Sequence, residues 1–309
     1  MNVSTGSGRK VGAVVVTFRP DLERLRLVLE AATTQVEEVI VVDNASPGRG
    51  EIAALVEAIP GARLEPLAEN LGIGAALNTG VVLHLESGRD WVLTLDQDTV
   101  AHEGAVPEVL DALERLSEPL RRAVGVAGMS RGIAAPSGRR RQWVERSLVV
   151  ADLERFSERR IVITSGNLVR ADVYAKVRYD ETLFIDHVDT RFCADVRRRG
   201  WRVLEYRRHT MDHRLGTTVR VRRGERIYEG GERIYYLTRN GLSLALRGDL
   251  PARVLARDVV GLSTVYVEVN GPCSVPRCLS MVMSGARDAV LRRSGPRGRR
   301  RRAGARAEP

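Results

Sequence analysis

The chain has 309 residues, of which 43% are hydrophobic and 28% are charged. This composition is typical of a globular protein and excludes the collagen-like, mucin-like and wholly disordered classes. The three cysteines cannot form a disulfide framework, and no C-x-x-C pair indicates a zinc site. Residues 1–10 lack the apolar stretch of a secretory signal, and no run of about 18 uncharged apolar residues occurs, so we expect a cytoplasmic location.

The net charge of +10 is concentrated near the C-terminus. Between Ala286 and Pro309, nine Arg stand against Asp288 and Glu308, which gives +7 and leaves about +3 for the rest of the chain. Such a tail is most often solvated, and the alternative is peripheral attraction to an anionic membrane surface at the inner face of the plasma membrane. Few aromatic residues interleave with the basic ones, so we expect no specific nucleic acid partner. A basic-tailed nucleic-acid-binding protein is the most distant alternative.

Strands and helices alternate from residue 11 to residue 100. The predicted strands lie at 11–18, 37–46, 62–67 and 91–100, and the predicted helices between them lie at 20–29, 51–58 and 71–87. This alternation predicts an α/β fold with a parallel, doubly wound sheet, in which ligands bind at the carboxyl ends of the strands. The polar residues at or just past such ends are Thr17, Asp43, Asn44, Asp96 and Asp98.

The pattern is less regular after residue 120. We predict a strand at 123–129, an exposed loop or hairpin at 136–146, a strand, turn and helix over 161–177, a loop leading into a helix over 181–201, and a strand at 201–206. Helices follow at 232–247, with a break within 259–283, and at 286–293. We therefore expect a flexible N-terminus at 1–10, a main domain at 11–247, a C-terminal helical extension at 248–292 and a disordered Arg-rich tail at 293–309.

Asp96-Gln97-Asp98, directly after a buried strand, is the strongest chemical signal. Two carboxylates at i and i+2 are hard oxygen ligands that suit Mg²⁺ or Mn²⁺ shared with phosphate oxygens. The alternative is a solvated turn, but the position at a strand end of a nucleotide-type sheet favours the metal. His213 follows another strand and can complete such a site, although a lone His is more often structural.

Other motifs have two interpretations each. Asp43 can accept a hydrogen bond from a base or a ribose, but Asn44-Ala-Ser-Pro is typical of an Asx turn, which the pattern alone favours. The small residues between Asn70 and Asn78 suit either the approach of a diphosphate or a tightly packed helix start. Asp186 and Asp189 precede a helix, where each can be a general base or part of an N-terminal cap. The spacing favours the cap for Asp186 and leaves both interpretations open for Asp189.

Arg239-Asn240 lies in a predicted helix. Arg239 can offer a planar fork of donors to a phosphate or an acceptor, and the alternative is a position on the helix surface.

Several motifs appear in the same order as in one known family. They are VVVTFRP, VIVVDNAS, ENLGIGAALNTG, LTLDQDT, ITSGNLV, ETLFIDHVDTRFCADVRRRGW and MDHRLG, within residues 11–247. Together they resemble the family 2 inverting glycosyltransferases and, more narrowly, bacterial rhamnosyltransferases of surface-polysaccharide assembly. LDQDT with NLGIGAALN is the more specific combination. The resemblance implies a GT-A fold, a Rossmann-like mixed sheet flanked by helices, with the C-terminal helices as an extension.

The resemblance also implies roles for individual residues. Those implied to bind the sugar nucleotide are Thr17, Arg19, Asp43, Asn44, Asn70, Gly72, Asn78, Asp96 and Gln97, and the implied metal ligands are Asp96, Asp98 and His213. The implied catalytic base is Asp189, with Asp186 in reserve, because Val188 replaces the first acid of the usual pair. Arg191 also stands where an acid is common, and Arg19 where Asn is frequent. The implied acceptor or sugar contacts are Ser165, Gly166, Asn167, Arg239 and Asn240.

The activity implied is metal-dependent transfer of L-rhamnose from dTDP-L-rhamnose, with inversion, to a lipid-linked or polysaccharide acceptor in cell-surface glycan biosynthesis. The nearest alternative is another sugar donor, such as a UDP- or GDP-hexose or UDP-galactofuranose. A catalytically inactive module that binds sugar nucleotides is a further alternative, against which the set of Asp96, Asp98 and Asp189 speaks. We expect the acceptor pocket to form from the loops at 130–160 and 214–232.

Overall fold

The computed structural model describes residues 8–130, 149–153, 155–213, 217–221, 224–228 and 230–298. The loop predicted at 136–146 and residues 299–309 of the predicted tail lie outside this part. Two compact units are present, one from Met1–Tyr179 and Phe192–Arg214 and the other from Asp180–Arg191 and Leu215–Pro309. The predicted boundaries at residues 247 and 292 stay predictions.

The first unit is built on a sheet of nine strands. They are β1 (Val11–Thr17), β2 (Glu38–Asp43), β3 (Ala62–Pro66), β4 (Trp91–Asp96), β6 (Val124–Ser130), β7 (Val149–Asp152), β8 (Phe156–Arg159), β9 (Asn167–Arg170) and β10 (Arg202–His209). Their order is β3-β2-β1-β4-β9-β6-β10-β8-β7. The first four are parallel, and β9 lies antiparallel between β4 and β6. The predicted α/β fold is therefore confirmed, with a mixed sheet.

Helices connect these strands and cover the sheet. They are α1 (Leu22–Thr33), α2 (Arg49–Glu57), α3 (Ile73–Glu86), α4 (Ala105–Glu114), α5 (Glu118–Ala123), α6 (Ala171–Tyr174) and α7 (Val188–Arg198), of which the residues from Phe192 onward belong to the first unit. Asp21 caps α1, since its carboxylate accepts from the Arg24 amide. β1 and β4 are almost fully buried, which explains their continuous apolar sequence. Their side chains and those of α1, α2 and α4 form one hydrophobic core.

Two predicted strands were partly wrong. The strand expected before the turn at Ser165 is irregular over residues 161–164, and the strand β9 follows the turn instead. β9 fills the place between β4 and β6, whose other edges pair with β1 and β10, so neither strand has an edge left for the segment before the turn. The single strand predicted at 91–100 is two strands, because the chain turns at Gln97 and Asp98 before β5 (Thr99–Ala101).

The second unit is mainly helical. It contains the hairpin β12 (Thr217–Val221) and β13 (Gly224–Tyr228) and the helices α8 (Glu232–Leu246), α9 (Ala252–Asn270) and α10 (Val275–Val290). The predicted break lies between α9 and α10, whereas the short helix expected at 286–293 is the end of α10. After α10, the Gly295 amide donates to the Thr182 carbonyl and the Arg297 amide donates to the Tyr236 hydroxyl. The expectation of a disordered tail therefore applies only to residues outside the described part.

Among the described residues, none of the helices combines the length and the apolar character needed to cross a bilayer.

Candidate metal and sugar-nucleotide site

Three parallel strands end at the same edge of the first sheet. Thr17 at the end of β1 pairs in register with Asp43 at the end of β2, and Val16 pairs with Asp96 at the end of β4. Parallel strands bring their carboxyl ends together, so the polar residues that follow each apolar run converge. The sequence-predicted Thr17, Asp43 and Asp96 therefore share one edge.

Asp96, Asp98 and His213 form a cluster at this edge. One ligand atom from each side chain lies within 4.8 Å of the others. The His213 Nε2 is 3.3 Å from Asp98 Oδ1 and 3.6 Å from Asp96 Oδ2. The two carboxylate side chains are about one-third exposed, and the imidazole is nearly buried. Two carboxylate oxygens and one imidazole nitrogen suit Mg²⁺ or Mn²⁺ with coordination positions left for phosphate oxygens.

A small two-stranded sheet brings His213 to the carboxylates. β11 (Met211–His213) pairs antiparallel with β5, and His213 lies opposite Thr99, which directly follows Asp98. Arg24 on α1 fastens both strands, since its Nε donates to the Asp98 carbonyl and its Nη2 to the Asp212 carbonyl, each at 2.9 Å. The sequence pattern did not single out Arg24, and its helical position gave no signal of this contact.

Ser165 bonds the turn that carries Asp96 and Asp98. The Ser165 hydroxyl accepts from the Asp96 amide at 2.8 Å and donates to Thr99 Oγ1 at 2.7 Å, so it fixes both ends of the acidic turn. Gly166 has a φ of 84°, and a Cβ there would overlap Met211. The predicted acceptor contacts Ser165 and Asn167 are buried, at 1% and 2% exposure, so this geometry assigns them to support of the acidic turn and the sheet.

Asp43 organises the turn that follows β2. Its carboxylate accepts from Thr17 Oγ1 at 3.1 Å and from the Ser46 amide at 3.0 Å, and Arg49 Nε lies 3.7 Å away. Because Asp43 and Thr17 are fully buried, both hydrogen bonds replace water that the two groups have lost. The turn interpretation of Asp43 therefore has direct structural support, and contact with a nucleotide stays a prediction.

Asn44 and Asn70 organise the loop before α3. Asn44 Oδ1 accepts from the Leu71 amide and Asn70 Oδ1 from the Gly72 amide, both at 3.0 Å. Gly72 has a φ of 93° and directly precedes α3, so the small residues produce the tight helix start that the sequence left open. Whether a diphosphate contacts this loop stays a prediction.

Gln97 and Arg19 belong to the neighbouring loops. The Gln97 Oε1 accepts from the Phe18 amide at 2.8 Å, which links the acidic turn to the loop after β1. The Arg19 backbone amide donates to Ser46 Oγ at 2.8 Å, and its guanidinium lies over the Phe18 ring. These bonds leave the Arg19 guanidinium itself at the surface of the first unit.

Asn78 is buried on α3. Its side-chain amide pairs with the backbone of Tyr179, donating to the carbonyl and accepting from the amide at 3.0 Å each. Both bonds lie in the interior, where they satisfy polar groups on α3 and on the chain after α6. The structure therefore gives Asn78 a packing role, and its predicted place beside the diphosphate is not supported by these contacts.

Asp189 lies in the first turn of α7, in the second unit. Its Oδ1 accepts from the Thr190 amide at 2.6 Å and from the Thr190 hydroxyl at 3.2 Å. Burial raises the pKa of the Asp189 carboxyl, while His187 and the Thr190 bonds oppose this change. A raised pKa suits a carboxylate that must take a proton from a hydroxyl group.

The reserve base Asp186 is held differently. Arg233 on α8 forms an ion pair with its carboxylate, with the Arg233 Nε at 3.0 Å from Oδ1, and the Asp186 side chain is only 4% exposed. Arg233 Nε donates to both carboxylate oxygens, so neither oxygen of Asp186 is free to orient an acceptor hydroxyl. The geometry therefore favours Asp189 over Asp186.

Arg239 and Asn240 are buried in the second unit, with 2% and 1% of their surface exposed. Asn240 Nδ2 donates to the Ile185 carbonyl at 2.7 Å, and Arg239 Nη1 donates to the Gly295 carbonyl at 2.6 Å. These donors serve backbone carbonyls, so the contacts do not support the predicted role in binding acceptor or sugar. They also exclude the alternative of a solvated helix surface for Arg239.

Comparison with known proteins agrees with this geometry. The family model for Glycosyl transferase family 2 matches residues 13–177, which is more than half of the chain. The chain belongs to glycosyl transferase family 2. The matched residues include both acids of the cluster, Asp96 and Asp98. His213 and Asp189 lie beyond the match.

Two relatives of this family 2 glycosyltransferase carry informative names. A dTDP-rhamnosyl transferase RfbF of Shigella flexneri is 25% identical over 250 residues, which are 80% of this chain and 84% of the relative. An N-acetylglucosaminyl-diphospho-decaprenol L-rhamnosyltransferase of Mycobacterium tuberculosis (strain ATCC 25618 / H37Rv) is 33% identical over 113 residues, or 34% of this chain and 36% of the relative. The resemblance to bacterial rhamnosyltransferases is thus confirmed at modest identity.

A solved structure shows the fold. The crystal structure of GalNAc-T7 with UDP, GalNAc and Mn²⁺ matches this glycosyltransferase with a TM-score of 0.51 at 9% identity, over 66% of this chain and 44% of that one. At this identity the likeness concerns the fold alone. Together with the family match, it confirms the predicted GT-A fold.

Proposed function

We propose that this family 2 glycosyltransferase transfers L-rhamnose from dTDP-L-rhamnose, with inversion, in a reaction that needs a divalent metal. The observation that carries the proposal is the cluster of Asp96, Asp98 and His213 at the carboxyl ends of the parallel strands. The names of the two relatives support the rhamnosyl group and, for one of them, the dTDP carrier.

Mg²⁺ or Mn²⁺ bound here would supply positive charge that stabilises the departing nucleoside diphosphate. Asp96 and Asp98 would each provide a carboxylate oxygen, and His213 would provide its Nε2. The Ser165 hydroxyl and the Arg24 guanidinium hold the backbone of the acidic turn, so the carboxylates are oriented before any ligand arrives.

Asp189 is the proposed general base. It accepts the proton of the acceptor hydroxyl as the oxygen attacks the anomeric carbon, and a single displacement inverts that centre. The bonds from Thr190 fix one oxygen of the carboxylate, which orients the other. Burial raises the pKa of Asp189 and so increases the affinity of the carboxylate for the proton.

Thermal unfolding with and without Mn²⁺ tests the metal and the nucleotide together. We expect dTDP or dTDP-L-rhamnose to raise the Tm when Mn²⁺ is present. At a ligand concentration of 100 times Kd, the free energy of unfolding should increase by about 2.7 kcal/mol. Asp96→Asn and Asp98→Asn should each remove the metal-dependent part of the shift. The matched control is Asp111→Asn, which removes an exposed carboxylate from α4 and should leave the shift unchanged. An equal shift in all variants would contradict the proposed site.

Turnover then separates the sugar donors and identifies the acceptor class. We expect release of dTDP from dTDP-L-rhamnose, and no release of nucleotide from UDP-hexoses, GDP-hexoses or UDP-galactofuranose. N-acetylglucosaminyl-diphospho-decaprenol is the first lipid-linked acceptor to offer, because one relative is named for it. Turnover with a UDP-hexose instead would move the proposal to the nearest alternative donor.

A further inference from the structure

The segment before Asp189 has an uncommon backbone. Phe184, Asp186 and His187 have φ angles of 65°, 64° and 61°, in the left-handed region that residues other than Gly rarely adopt. We call residues 183–187 the 183–187 turn. α7 begins at Val188, directly after it. Such a conformation costs free energy and persists only where neighbouring groups hold the backbone in it.

Asn240 holds the backbone of the 183–187 turn. The two N–H groups of its Nδ2 are shared among three carbonyls, those of Leu183 at 2.9 Å, Ile185 at 2.7 Å and Asp186 at 3.0 Å. Its Oδ1 accepts from Arg239 Nε at 2.8 Å, which fixes the orientation of the amide. Every polar atom of this buried side chain is thus engaged, and most of its bonds go to the turn.

Arg239 extends the same contact. Its Nη2 donates to the Leu183 carbonyl at 2.9 Å, and its Nη1 donates to the Gly295 carbonyl at 2.6 Å. The guanidinium lies 5.2 Å from the centre of the Tyr236 ring. That ring stacks on Phe184, one of the residues with positive φ, at 5.3 Å between ring centres.

The same face of α8 also fixes the end of the turn. Arg233 pairs with Asp186, and Gly241 allows the helix to approach His187, because a Cβ at Gly241 would lie 2.8 Å from the His187 Nε2. Arg233, Tyr236 and Asn240 follow one another at spacings of three and four residues and therefore share one side of the helix.

We propose that Arg239 and Asn240 are positioning residues for Asp189, which they serve by holding the 183–187 turn in its strained form. Only the role of Asp189 as a base rests on the proposed function. Without the two side chains, the turn can relax to ordinary φ angles, and the first turn of α7 can move with it. A displacement of about 1 Å in a reacting group costs roughly 100-fold in rate.

The surroundings of Asp189 predict how its titration responds. The charged and titratable groups that act on its carboxylate are His187 and Asp186 from the turn, and Arg233 from α8 pairs with Asp186. A relaxed turn exposes Asp189 to water, which removes the main cause of its raised pKa. The acid limb of the pH–rate profile should therefore move to lower pH.

The test compares variants of α8 in the full chain, with dTDP-L-rhamnose as sugar donor and an acceptor that supports turnover. Asn240→Ala should lower kcat about 100-fold with little change in the KM for the sugar donor, and should speed amide exchange in residues 183–190. Asn240→Gln, which keeps the amide, should recover part of the rate. Leu246→Ala is the control, because Leu246 lies on the same helix and is 71% exposed.

A double-mutant cycle separates positioning from mere stability. In an Asp189→Asn background, Asn240→Ala should have little further effect on kcat, because its effect acts through Asp189. If Asp189→Asn keeps wild-type turnover, the base in the proposed function is wrong. If Asp189→Asn loses turnover while folded Asn240→Ala keeps both the rate and the pH profile, the positioning proposal is wrong. Arg239→Lys gives the same readout should Asn240→Ala not fold.

Discussion

At the scale of single residues, Asp189 links burial to the pH at which the enzyme works. Its raised pKa means that the carboxyl holds its proton to a higher pH than an ordinary Asp. A protonated carboxyl cannot act as a base, so kcat/KM should rise with pH through this raised pKa and then level. Asp189→Asn should lower kcat by roughly 100- to 10,000-fold, the usual range for a general base.

The same pKa has a consequence for stability. Because the folded state binds this proton more tightly than the unfolded state, the contribution of Asp189 to stability is present at low pH and is lost as pH rises through its folded pKa. Asp189→Asn should therefore be no less stable than wild type at pH 7 in urea unfolding. A variant that lost stability together with activity would contradict a role confined to proton transfer. Asp195→Asn, further along α7, serves as the matched control.

Individual residues also show how far a motif can be interpreted without a structure. The acids after β4 were predicted from hydrophobic pattern and strand-end chemistry alone. Asp43 left two interpretations open, and the structure supports the turn because both carboxylate oxygens are engaged within the first unit. Arg239 and Asn240 were predicted to contact the acceptor or the sugar, whereas their donors bond backbone carbonyls. A helical pattern does not reveal which distant carbonyls a buried side chain will meet.

At the scale of elements, the pairing of β5 with β11 decides whether His213 reaches the acids. The two strands are only three residues long, and Arg24 bonds the carbonyls of Asp98 and Asp212 beside them. Arg24→Met should therefore weaken Mn²⁺ binding about 10-fold, which corresponds to roughly 1.4 kcal/mol, the size expected of a hydrogen bond from a charged group. Isothermal titration with Mn²⁺ and dTDP measures this change.

The control for Arg24→Met is Arg26→Met on the same helix. Arg26 is exposed, so the substitution removes an equal charge and leaves both Arg24 bonds, to Asp98 and to Asp212, in place. Equal losses in both variants would mean that overall charge, and not the fastening of β5 to β11, controls metal binding.

The elements themselves were largely predictable up to residue 100, because apolar strands and amphipathic helices alternate there with clear turn residues. Prediction failed where tertiary pairing outweighs the local pattern. Residues 161–164 are all β-branched and mostly apolar, yet they form no strand. The Thr164 carbonyl instead accepts from Thr94 Oγ1 at 2.6 Å. No local pattern indicates that β9 fills the gap between β4 and β6.

At the scale of the whole molecule, the basic C-terminal sequence directly follows a helix with an unusual outer face. On α10, Val275, Leu279, Met283 and Val290 are 39%, 56%, 71% and 68% exposed, while Cys278, Met281 and Gly285 face inward. Apolar side chains beside clustered Arg are the pattern of a helix that lies on an anionic lipid surface. The sequence-based expectation of peripheral membrane contact therefore gains a specific apolar face to test.

Sedimentation with vesicles tests this expectation. The full chain should sediment with vesicles containing phosphatidylglycerol at low salt, and less at 0.5 M salt, because screening weakens attraction between Arg and lipid phosphates. Leu279→Ser with Met283→Ser should reduce binding several-fold. Leu27→Ser on α1, which is similarly exposed, is the control. Binding that is unchanged by the α10 substitutions, or that is absent with anionic vesicles, would contradict the expectation.

The position of β9 has a consequence for synthesis of the chain on the ribosome. β4 and β6 both emerge before β9, and each presents an open hydrogen-bonding edge until residues 167–170 are inserted between them. The parallel strands β1 to β4 can assemble first, but the two halves of the sheet join only through this late, four-residue strand. A nascent chain that stalls between Ser130 and Asn167 therefore exposes unpaired backbone edges on both β4 and β6, where pairing with another copy competes with correct folding.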